Sequence, residues 1–200
     1  MSSTSRKSDQ SSELLPVTAL REFPLPLTIG VISDTHVHPR GGRRLPPDVL
    51  DLFDRFKVDL VVHAGDLNCE DVLELLSQVA PVIAVSGNND NGFLKQTLPD
   101  EVRFRVGQYS VGVVHGHQDG TARQTAQAIF IGEVDLGIYG HSHQPIIDKV
   151  GETILFNPGS ATDRRWNEHL GIGIIKITEE GIDPDLILFK DPAHLVNIKP

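Results

Sequence analysis

Polar residues follow five apolar, strand-like segments of this sequence, each at the point where the segment ends. The segment Leu27–Ser33 is apolar and rich in β-branched residues, which is typical of a buried strand, and it runs directly into Asp34, Thr35 and His36. The polar residues that follow the other four segments are Asp66, Asn88, His115 with His117, and His141 with His143. Because the carboxyl ends of parallel strands meet at one edge of a sheet, where ligands bind, the five clusters predict a single site.

Helical patterns alternate with strands in the first half of the chain, and strands dominate the second half. Pro46–Lys57 and Glu70–Val79 place apolar residues at helical spacing between the first three strands, and Thr121–Ile131 predicts a third helix. The strands predicted after Leu27–Ser33 are Leu60–His63, Pro81–Ser86, Val102–Val106, Tyr109–His115, Leu136–Tyr139, Ile146–Val150, Thr153–Phe156, Ile172–Ile177 and Leu186–Phe189. Parallel strands first and antiparallel strands later predict an α/β fold with two packed mixed β-sheets flanked by helices.

The two ends of the chain differ from this pattern. Residues 1–13 are Ser-rich with little to bury, which predicts a disordered tail without a secretory signal. Residues 14–26 contain three prolines, which argue against a long regular element in this lead-in. Residues 27–200 are predicted to form a single domain, and its terminal segment, Asp191–Pro200, to be a surface strand or loop end.

The charge balance excludes some partners. The chain has 27 acidic and 18 basic residues and a formal net charge of -9. Because Lys and Arg supply most of the affinity for nucleic acid, no nucleic acid polymer is expected as a partner, whereas a small anionic substrate can bind if metal ions supply positive charge. No apolar segment is long enough to cross a bilayer, so no membrane association is expected. The single cysteine, Cys69, fits a reducing cytoplasm.

The spacing within the clusters suits metal binding. Asp34 and His36 are two residues apart, as are His141 and His143, so in extended backbone each pair projects to one side and can reach one ion. Carboxylate and imidazole ligands without thiolate favour Mn²⁺, Zn²⁺, Fe or Ni over a structural zinc site.

Five short motifs occur in a fixed order between about Leu27 and Lys190: Asp34-x-His36, Gly65-Asp66, Gly87-Asn88, His115-Gly116 and Gly140-His141-Ser142-His143. Each motif alone is weakly specific, but the ordered set resembles that of the calcineurin-like metallophosphoesterases. The chain is most similar to their small single-domain phosphodiesterases, a group related to the metallophosphoesterase-like subunit of retromer. This resemblance implies a four-layer α/β/β/α sandwich.

The resemblance also implies two divalent metal ions, with Mn²⁺ as the first candidate and Zn²⁺, Fe or Ni as others. The implied ligands are Asp34, His36 and His143 for one ion, Asn88, His115 and His141 for the other, and Asp66 as the bridge between them. A hydroxide shared by the ions would attack phosphorus in line, and a small phosphate ester, most consistently a diester, would be the substrate. The alternative is a non-catalytic interaction scaffold like the retromer subunit, although a scaffold has no need of a complete ligand set.

One motif departs from the commonest family pattern. Many relatives carry a histidine after the asparagine of the third motif, and that histidine is thought to protonate the leaving group. Here Asn89 occupies the position, and an amide cannot act as an acid near neutral pH. The resemblance implies catalytic roles for Asp66, Asn88 and Asp90, and leaves His117 or, as an alternative, His63 as a candidate acid.

Several residues near these motifs have two interpretations. His63 lies inside an apolar strand, where a hydrogen-bonded core histidine is favoured over a ligand. His38, like His117, could contact the substrate or support a ligand. Arg164 and Arg165 could reach a substrate phosphate or lie in a solvated loop.

The remaining interpretations concern structure more than chemistry. Asn68 is predicted to be the N-cap of the helix that follows it, and Cys69 to be a packing residue. The segment Asn157-Pro158-Gly159-Ser160 resembles a motif of the small diesterases, although Pro-Gly favours a turn in any protein. The sequence leaves the oligomeric state open.

Overall fold

The computed structural model describes residues 21–38 and 40–200, and these residues form two β-sheets with helices on their outer faces. The predicted tail, residues 1–13, lies outside the described residues, as does most of the lead-in, residues 14–26. The last residues of the lead-in include a three-residue strand, β1 (Arg21–Phe23).

One sheet has five strands. In spatial order they are β11 (Gly181–Phe189), β10 (Leu170–Thr178), β2 (Leu27–Ile32), β3 (Leu60–His63) and β4 (Val82–Ala84). β2, β3 and β4 are parallel and are connected through helices α1 (Pro47–Arg55) and α2 (Asp71–Ser77), while β10 runs antiparallel to β2 and to β11. The crossover connections place both helices on the outer face of this sheet.

The other sheet has six strands. In spatial order they are β1, β5 (Glu101–Val106), β6 (Tyr109–Val114), β7 (Leu136–Tyr139), β9 (Thr153–Asn157) and β8 (Ile146–Val150). β6, β7 and β9 are parallel, and helix α4 (Ala122–Phe130) connects β6 to β7. Strand β5 pairs antiparallel with β6.

Burial shows how these layers pack. Val31 and Val62 of the first sheet and Val113 and Ile138 of the second belong to one fully buried apolar cluster, which fills the space between the sheets. A second cluster lies between the five-stranded sheet and helices α1 and α2, and a third joins α4 to the six-stranded sheet. The order of layers is helix, sheet, sheet, helix, so the predicted two-sheet α/β fold is confirmed.

Two elements differ from the sequence predictions at their ends or were not predicted. A short helix, α3 (Gly92–Thr97), follows β4, and the side chain of Asn91 caps it by accepting a hydrogen bond from the Leu94 amide at 2.9 Å. The predicted helix start at Glu70 falls one residue early, because Glu70 is the N-cap of α2.

The chain terminus was predicted incorrectly as a surface strand or loop end. It contains a 3-10 helix, Pro192–Asn197, in which Leu195 is fully buried. Asp191 accepts a hydrogen bond from the Ala193 amide at its start, and Arg55 of α1 donates to carbonyl oxygens at its other end, that of Leu195 at 2.7 Å among them. These side-chain partners satisfy the backbone groups of the short helix.

The two sheets bring their parallel strands to the same edge of the molecule. The carboxyl ends of β2, β3 and β4 come from one sheet, and those of β6 and β7 come from the other. Within the described residues, no helix is both long enough and apolar enough to cross a membrane.

Candidate metal centre

The first group of candidate ligands joins the two sheets. Asp34 and His36 follow β2, and His143 follows β7. His143 Nε2 lies 3.2 Å from Asp34 Oδ1 and 3.1 Å from His36 Nε2, and all three side chains are buried. Residues that are 107 positions apart along the chain therefore present their ligand atoms to one point.

The second group has the same composition. Asp66 follows β3, His115 follows β6 and His141 follows β7. His115 Nε2 lies 3.2 Å from Asp66 Oδ2, and the rings of His115 and His141 have centroids 5.1 Å apart. In this group, as in the first, one candidate ligand atom of each residue lies within 4.8 Å of the others.

Asp66 lies between the two groups. Its Oδ2 atom is 3.2 Å from His115 Nε2 of its own group and 3.7 Å from His36 Nε2 of the first group. A carboxylate in that position can contribute an oxygen to each of two ions. The bridging role stays a prediction, and the position of Asp66 is the one it requires.

Hydrogen bonds set the tautomers of two histidines. His115 Nδ1 donates to the Ala64 carbonyl oxygen at 2.8 Å, and His143 Nδ1 donates to the Asp163 carbonyl oxygen. A carbonyl can only accept, so the proton lies on Nδ1 and the lone pair of each ring lies on Nε2. Both Nε2 atoms face the carboxylates of their groups, which is the arrangement that metal-binding histidines need.

Unsatisfied polar atoms concentrate at this edge. Among the described residues, the buried side-chain atoms without a hydrogen-bond partner are Asp34 Oδ1, His63 Nδ1, Asn68 Oδ1, His115 Nε2, His117 Nδ1 and His141 Nδ1. Three of the six belong to the candidate ligands. A buried polar atom without a partner is costly, and bound cations would supply partners for these carboxylate and imidazole atoms. The residues present fit a pair of divalent ions.

Both carboxylates are held in the ionised form. Burial alone would raise the pKa of Asp34 and of Asp66, but the adjacent imidazole of His143 beside Asp34 and that of His115 beside Asp66 outweigh it, so both pKa values lie below their ordinary range. Burial alone would lower the pKa of His115, but the neighbouring carboxylates Asp66 and Asp34 have the larger effect, so its pKa lies above the ordinary value.

The backbone is strained at most of these positions. Asp34, His36, Asp66, His141 and His143 have φ angles of 53°, 44°, 59°, 65° and 56°, in the left-handed region that side chains with a Cβ seldom adopt. Such residues persist where surrounding contacts over-determine them, and they cluster at functional sites. Here the left-handed conformation turns the chain sharply at the strand ends and directs the side chains toward one point.

Close backbone approach adds a further constraint. A Cβ atom on Gly140 would lie 2.0 Å from Ser33 Oγ and 2.8 Å from Asp34 Oδ2, and one on Gly87 would lie 2.2 Å from Asp66 Oδ1. Only glycine therefore lets these two loops pass against the carboxylates.

The loop after β4 places Asn88 and Asn89 in different surroundings. Asn88, the seventh predicted ligand, is exposed, and its carbonyl oxygen accepts a hydrogen bond from Lys95 Nζ at 2.8 Å. The neighbouring Asn89 contacts Asp66 instead, with its backbone amide 2.8 Å from Oδ1 and its side-chain Nδ2 2.7 Å from Oδ2. The structure thus brings Asn89 against the Asp66 carboxylate, and the ligand role of Asn88 stays a prediction.

Asp90, predicted as catalytic, is buried beneath the loop. Its carboxylate accepts hydrogen bonds from the backbone amides of Asp66 at 3.2 Å, Asn68 at 2.7 Å and Gly87 at 2.7 Å. Burial raises its pKa. These contacts give Asp90 a positioning role, since it ties the backbone of the Asp66 loop to that of the Gly87 loop.

Three more histidines surround the ligand groups. The ring of His117 is half-buried, with its centroid 5.4 Å from that of His115 and 6.4 Å from that of His141. His63 is fully buried, its Nε2 lies 3.1 Å from Thr35 Oγ1, and burial lowers its pKa to about 3, which confirms the predicted hydrogen-bonded core histidine. His38 is exposed, in the segment that leads from the first group to α1.

Sequence reasoning missed several supporting residues. Ser33 Oγ donates to Asp34 Oδ2 at 2.7 Å, and Ser160 Oγ donates to the Asp34 carbonyl oxygen at 2.7 Å. Asn157 Nδ2 donates to the Gly140 carbonyl oxygen at 2.8 Å. Asn157 and Ser160 begin and end the segment that resembled a diesterase motif, and both are buried, so that segment supports the ligand loops. Ser33 would have been the hardest of these to predict from the sequence, because it is only a small polar residue at the end of an apolar strand.

The other residues with two interpretations are placed as follows. Asn68 was wrongly predicted as an N-cap, because α2 begins after Glu70 and Asn68 has a left-handed φ of 69° within the loop that Asp90 holds. Cys69 is buried in the cluster beneath α1 and α2, so its packing role is confirmed. Arg164 and Arg165 are exposed in a loop beside His143.

Comparison with known proteins gives a consistent result. A family model described as a calcineurin-like phosphoesterase superfamily domain matches residues 27–180. A probable metallophosphoesterase of Methanothermobacter thermautotrophicus is 36% identical over 164 residues, which cover 80% of this chain and 92% of that protein.

Two solved structures show the same architecture. A novel archaeal phosphodiesterase aligns with a TM-score of 0.64 and 27% identity, over 82% of this chain and 100% of its own. Wild-type Vps29 of Entamoeba histolytica, complexed with zinc, aligns with a TM-score of 0.62 and 24% identity, also over 82% and 100% of the two chains. The likeness to Vps29 shows the fold alone.

Proposed function

This chain belongs to the calcineurin-like phosphoesterase superfamily, and we propose that it is a metal-dependent phosphodiesterase acting on small phosphate diesters. The observation that carries the proposal is the pair of ligand groups, Asp34, His36 and His143 beside Asp66, His115 and His141, with Asp66 between them. The names of a probable metallophosphoesterase and an archaeal phosphodiesterase among its relatives support the reaction class.

The two groups suit two divalent ions, with Mn²⁺ as the first candidate. When bound, the ions would supply a hydroxide for in-line attack on phosphorus, by lowering the pKa of a shared water, and positive charge to offset that of the phosphate. Asp34 and Asp66 contribute two negative charges against four positive ones, so the centre keeps a positive balance in a chain whose net charge is -9.

The residues of the chain hold this arrangement in place before any substrate arrives. The Ala64 and Asp163 carbonyl oxygens orient the rings of His115 and His143. Asp90 fixes the backbone that carries Asp66, and Ser33 fixes the Asp34 carboxylate. Ligands that need no reorganisation on binding keep their full advantage for the reaction.

Proton transfer to the leaving group depends on a residue other than Asn89. Asn89 donates two hydrogen bonds to Asp66, one from its backbone amide and one from its side-chain Nδ2, and an amide has no proton to release near neutral pH. His117 lies outside the ligand groups, and its ring borders those of His115 and His141. We assign the candidate acid to His117.

A scaffold function like that of Vps29 has less support. The Vps29 structures share the fold at identities of 24% or less with this chain. Against a pure scaffold stand the buried, charged ligand groups, which would reduce stability without ions to pair with them.

The direct test is metal-dependent hydrolysis. Chelator-treated protein is assayed with bis(p-nitrophenyl) phosphate, a diester, and with p-nitrophenyl phosphate, a monoester, before and after addition of Mn²⁺. We expect turnover of the diester that requires metal and exceeds turnover of the monoester. An Asp66→Asn variant keeps the size of the side chain but removes its charge, and it should lose this activity. Metal-loaded protein that hydrolyses neither ester would refute the proposed function.

A further inference from the structure

A short loop beside the metal centre carries the only tryptophan of the chain, and this residue is almost entirely exposed. Trp166 has 98% of its surface accessible, whereas most of the other aromatic side chains contribute to buried clusters. A large exposed apolar ring has no role in stabilising the fold, and exposed aromatic side chains are common where a protein binds a partner or ligand.

Both ends of this loop are bonded to a candidate metal ligand. The Asp163 carbonyl oxygen accepts the hydrogen bond from His143 Nδ1, and Asn167 Nδ2 donates to the His143 carbonyl oxygen at 2.8 Å. Inside the loop, the Asn167 amide donates to the Arg164 carbonyl oxygen at 2.8 Å. Trp166 is therefore one residue from a side chain that contacts His143, in a loop whose backbone is held by hydrogen bonds.

Positive charge surrounds the same loop. Arg164 and Arg165 precede Trp166, and Arg43 Nη2 pairs with Asp163 Oδ2 at 3.1 Å, which ties the loop to the arginine-containing segment after His38. In a chain of net charge -9, this edge favours an anion.

We propose that residues 163–167, here termed the tryptophan loop, bind the nucleoside part of a nucleotide diester, with the base stacked on Trp166 and negative charge beside Arg164 and Arg165. The proposal rests on the proposed phosphodiesterase function, since the loop presents the base next to the phosphorus-binding edge. Any of the nucleic acid bases can stack on an aromatic ring, because each has a flat π-face. An arginine pairs with phosphate oxygens. The acidic balance of the whole chain favours a small nucleotide over a polymer.

A matched pair of esters tests the stacking. The p-nitrophenyl ester of thymidine monophosphate and methyl p-nitrophenyl phosphate are both diesters with the same leaving group, and they differ only in the nucleoside. We expect the ratio of their kcat/KM values to favour the thymidine ester and to fall about fivefold or more in Trp166→Ala, the low end of what stacking one base on an aromatic side chain contributes. Trp166→Phe should keep most of the ratio.

The control is Ile131→Ala, which truncates another exposed apolar side chain, 41% accessible, just after α4 and at the opposite edge of the six-stranded sheet. It should leave the ratio unchanged. General damage to the centre would lower both kcat/KM values together, so a ratio in Trp166→Ala equal to that of the parent protein would overturn the proposal.

A second measurement is independent of turnover. Because Trp166 is the only tryptophan, its fluorescence reports on this loop alone. Thymidine monophosphate added to metal-free or zinc-loaded protein should quench it saturably, and inorganic phosphate should not. Equal responses to the two anions would refute base stacking. Quenching by the nucleotide in a protein that hydrolyses neither ester would instead sustain the binding site and refute the catalytic function.

Discussion

Asp66 has neighbours of three kinds, and each limits what can replace it. His115 and His36 lie at 3.2 Å and 3.7 Å from its Oδ2 atom, the Asn89 amide groups bond both of its oxygens, and Gly87 passes so close that a Cβ there would clash with it. The hydrogen bonds orient the carboxylate, and the two histidines come from different ligand groups. One carboxylate thus links both groups, which gives its removal a distinctive effect.

We expect Asp34→Ala and Asp66→Ala to differ in metal content. Asp34 belongs to the first group alone, so its loss should leave one ion per chain, whereas loss of Asp66 should leave none, because both ions share it. Elemental analysis after loading with Mn²⁺ measures this difference, with circular dichroism to show that both variants fold. Asp54→Ala, an exposed carboxylate on α1, is the control. Equal metal content in the two variants would remove the bridge from the assignment.

The dependence of the hydrolysis rate on leaving-group pKa tests whether His117 donates a proton to the leaving group, a role that Asn89 cannot fill. In the parent protein, rates should fall modestly as the leaving group becomes less acidic if His117 supplies the proton, and His117→Ala should make that fall steeper. Asn89→His restores the histidine that many relatives have and should speed poor leaving groups by about tenfold relative to good ones, the low end of what a positioned acid contributes. The measurement is a series of aryl and alkyl esters of graded leaving-group pKa. Identical steep slopes in all three proteins would make His117 structural.

At the scale of elements, the sequence predicts the strands and the edge where they end, but not the supports between them. Apolar β-branched segments such as β2 and β3 are recognisable by their composition, and the candidate ligands come directly after them in the sequence. Asp90 and Ser160 could not be assigned in the same way, because their roles depend on backbone amides and carbonyls more than twenty residues away. The 3-10 helix was missed for a related reason, since the donor to its Leu195 carbonyl oxygen is the side chain of Arg55, which is distant along the chain.

Strand ends that pass close to carboxylates should resist even one added methyl group. In Gly140→Ala the new Cβ would lie 2.0 Å from Ser33 Oγ, so β7 or the Asp34 loop must shift. Overpacking of this kind costs about 1 to 3 kcal/mol in the free energy of unfolding. Urea denaturation measures it, with Gly92→Ala as the control, because a Cβ on Gly92 at the start of α3 meets nothing within 4 Å. If both variants unfold at the same urea concentration, the close contact between Gly140 and Ser33 does not affect the free energy of unfolding.

For the whole molecule, the ligand groups are a junction between the sheets. Asp34 and Asp66 extend from the five-stranded sheet, and His115, His141 and His143 extend from the six-stranded sheet. The apolar cluster between the sheets holds them together along their length, whereas at this edge polar contacts do so. Bound ions would therefore connect two layers of the fold.

Metal loading should raise the melting temperature. At an ion concentration about 100 times its Kd, one bound ion stabilises the folded state by about 2.7 kcal/mol, which corresponds to about 5 to 10 °C for a chain of this size. Calorimetry of chelator-treated and Mn²⁺-loaded protein measures the shift, and Asp66→Ala should abolish it. A melting temperature unaffected by saturating metal would mean that the centre is not occupied in the folded protein.

The left-handed backbone of five ligand residues sets stability against activity. A non-glycine residue in that conformation costs about 1 to 3 kcal/mol, and Asp34, His36, Asp66, His141 and His143 all adopt it. Selection for thermal stability alone would replace such residues with glycine, which removes the strain together with the ligand. Efforts to make this protein more robust should therefore leave the strand ends alone and work on the outer helices, where tighter packing does not compete with the reaction.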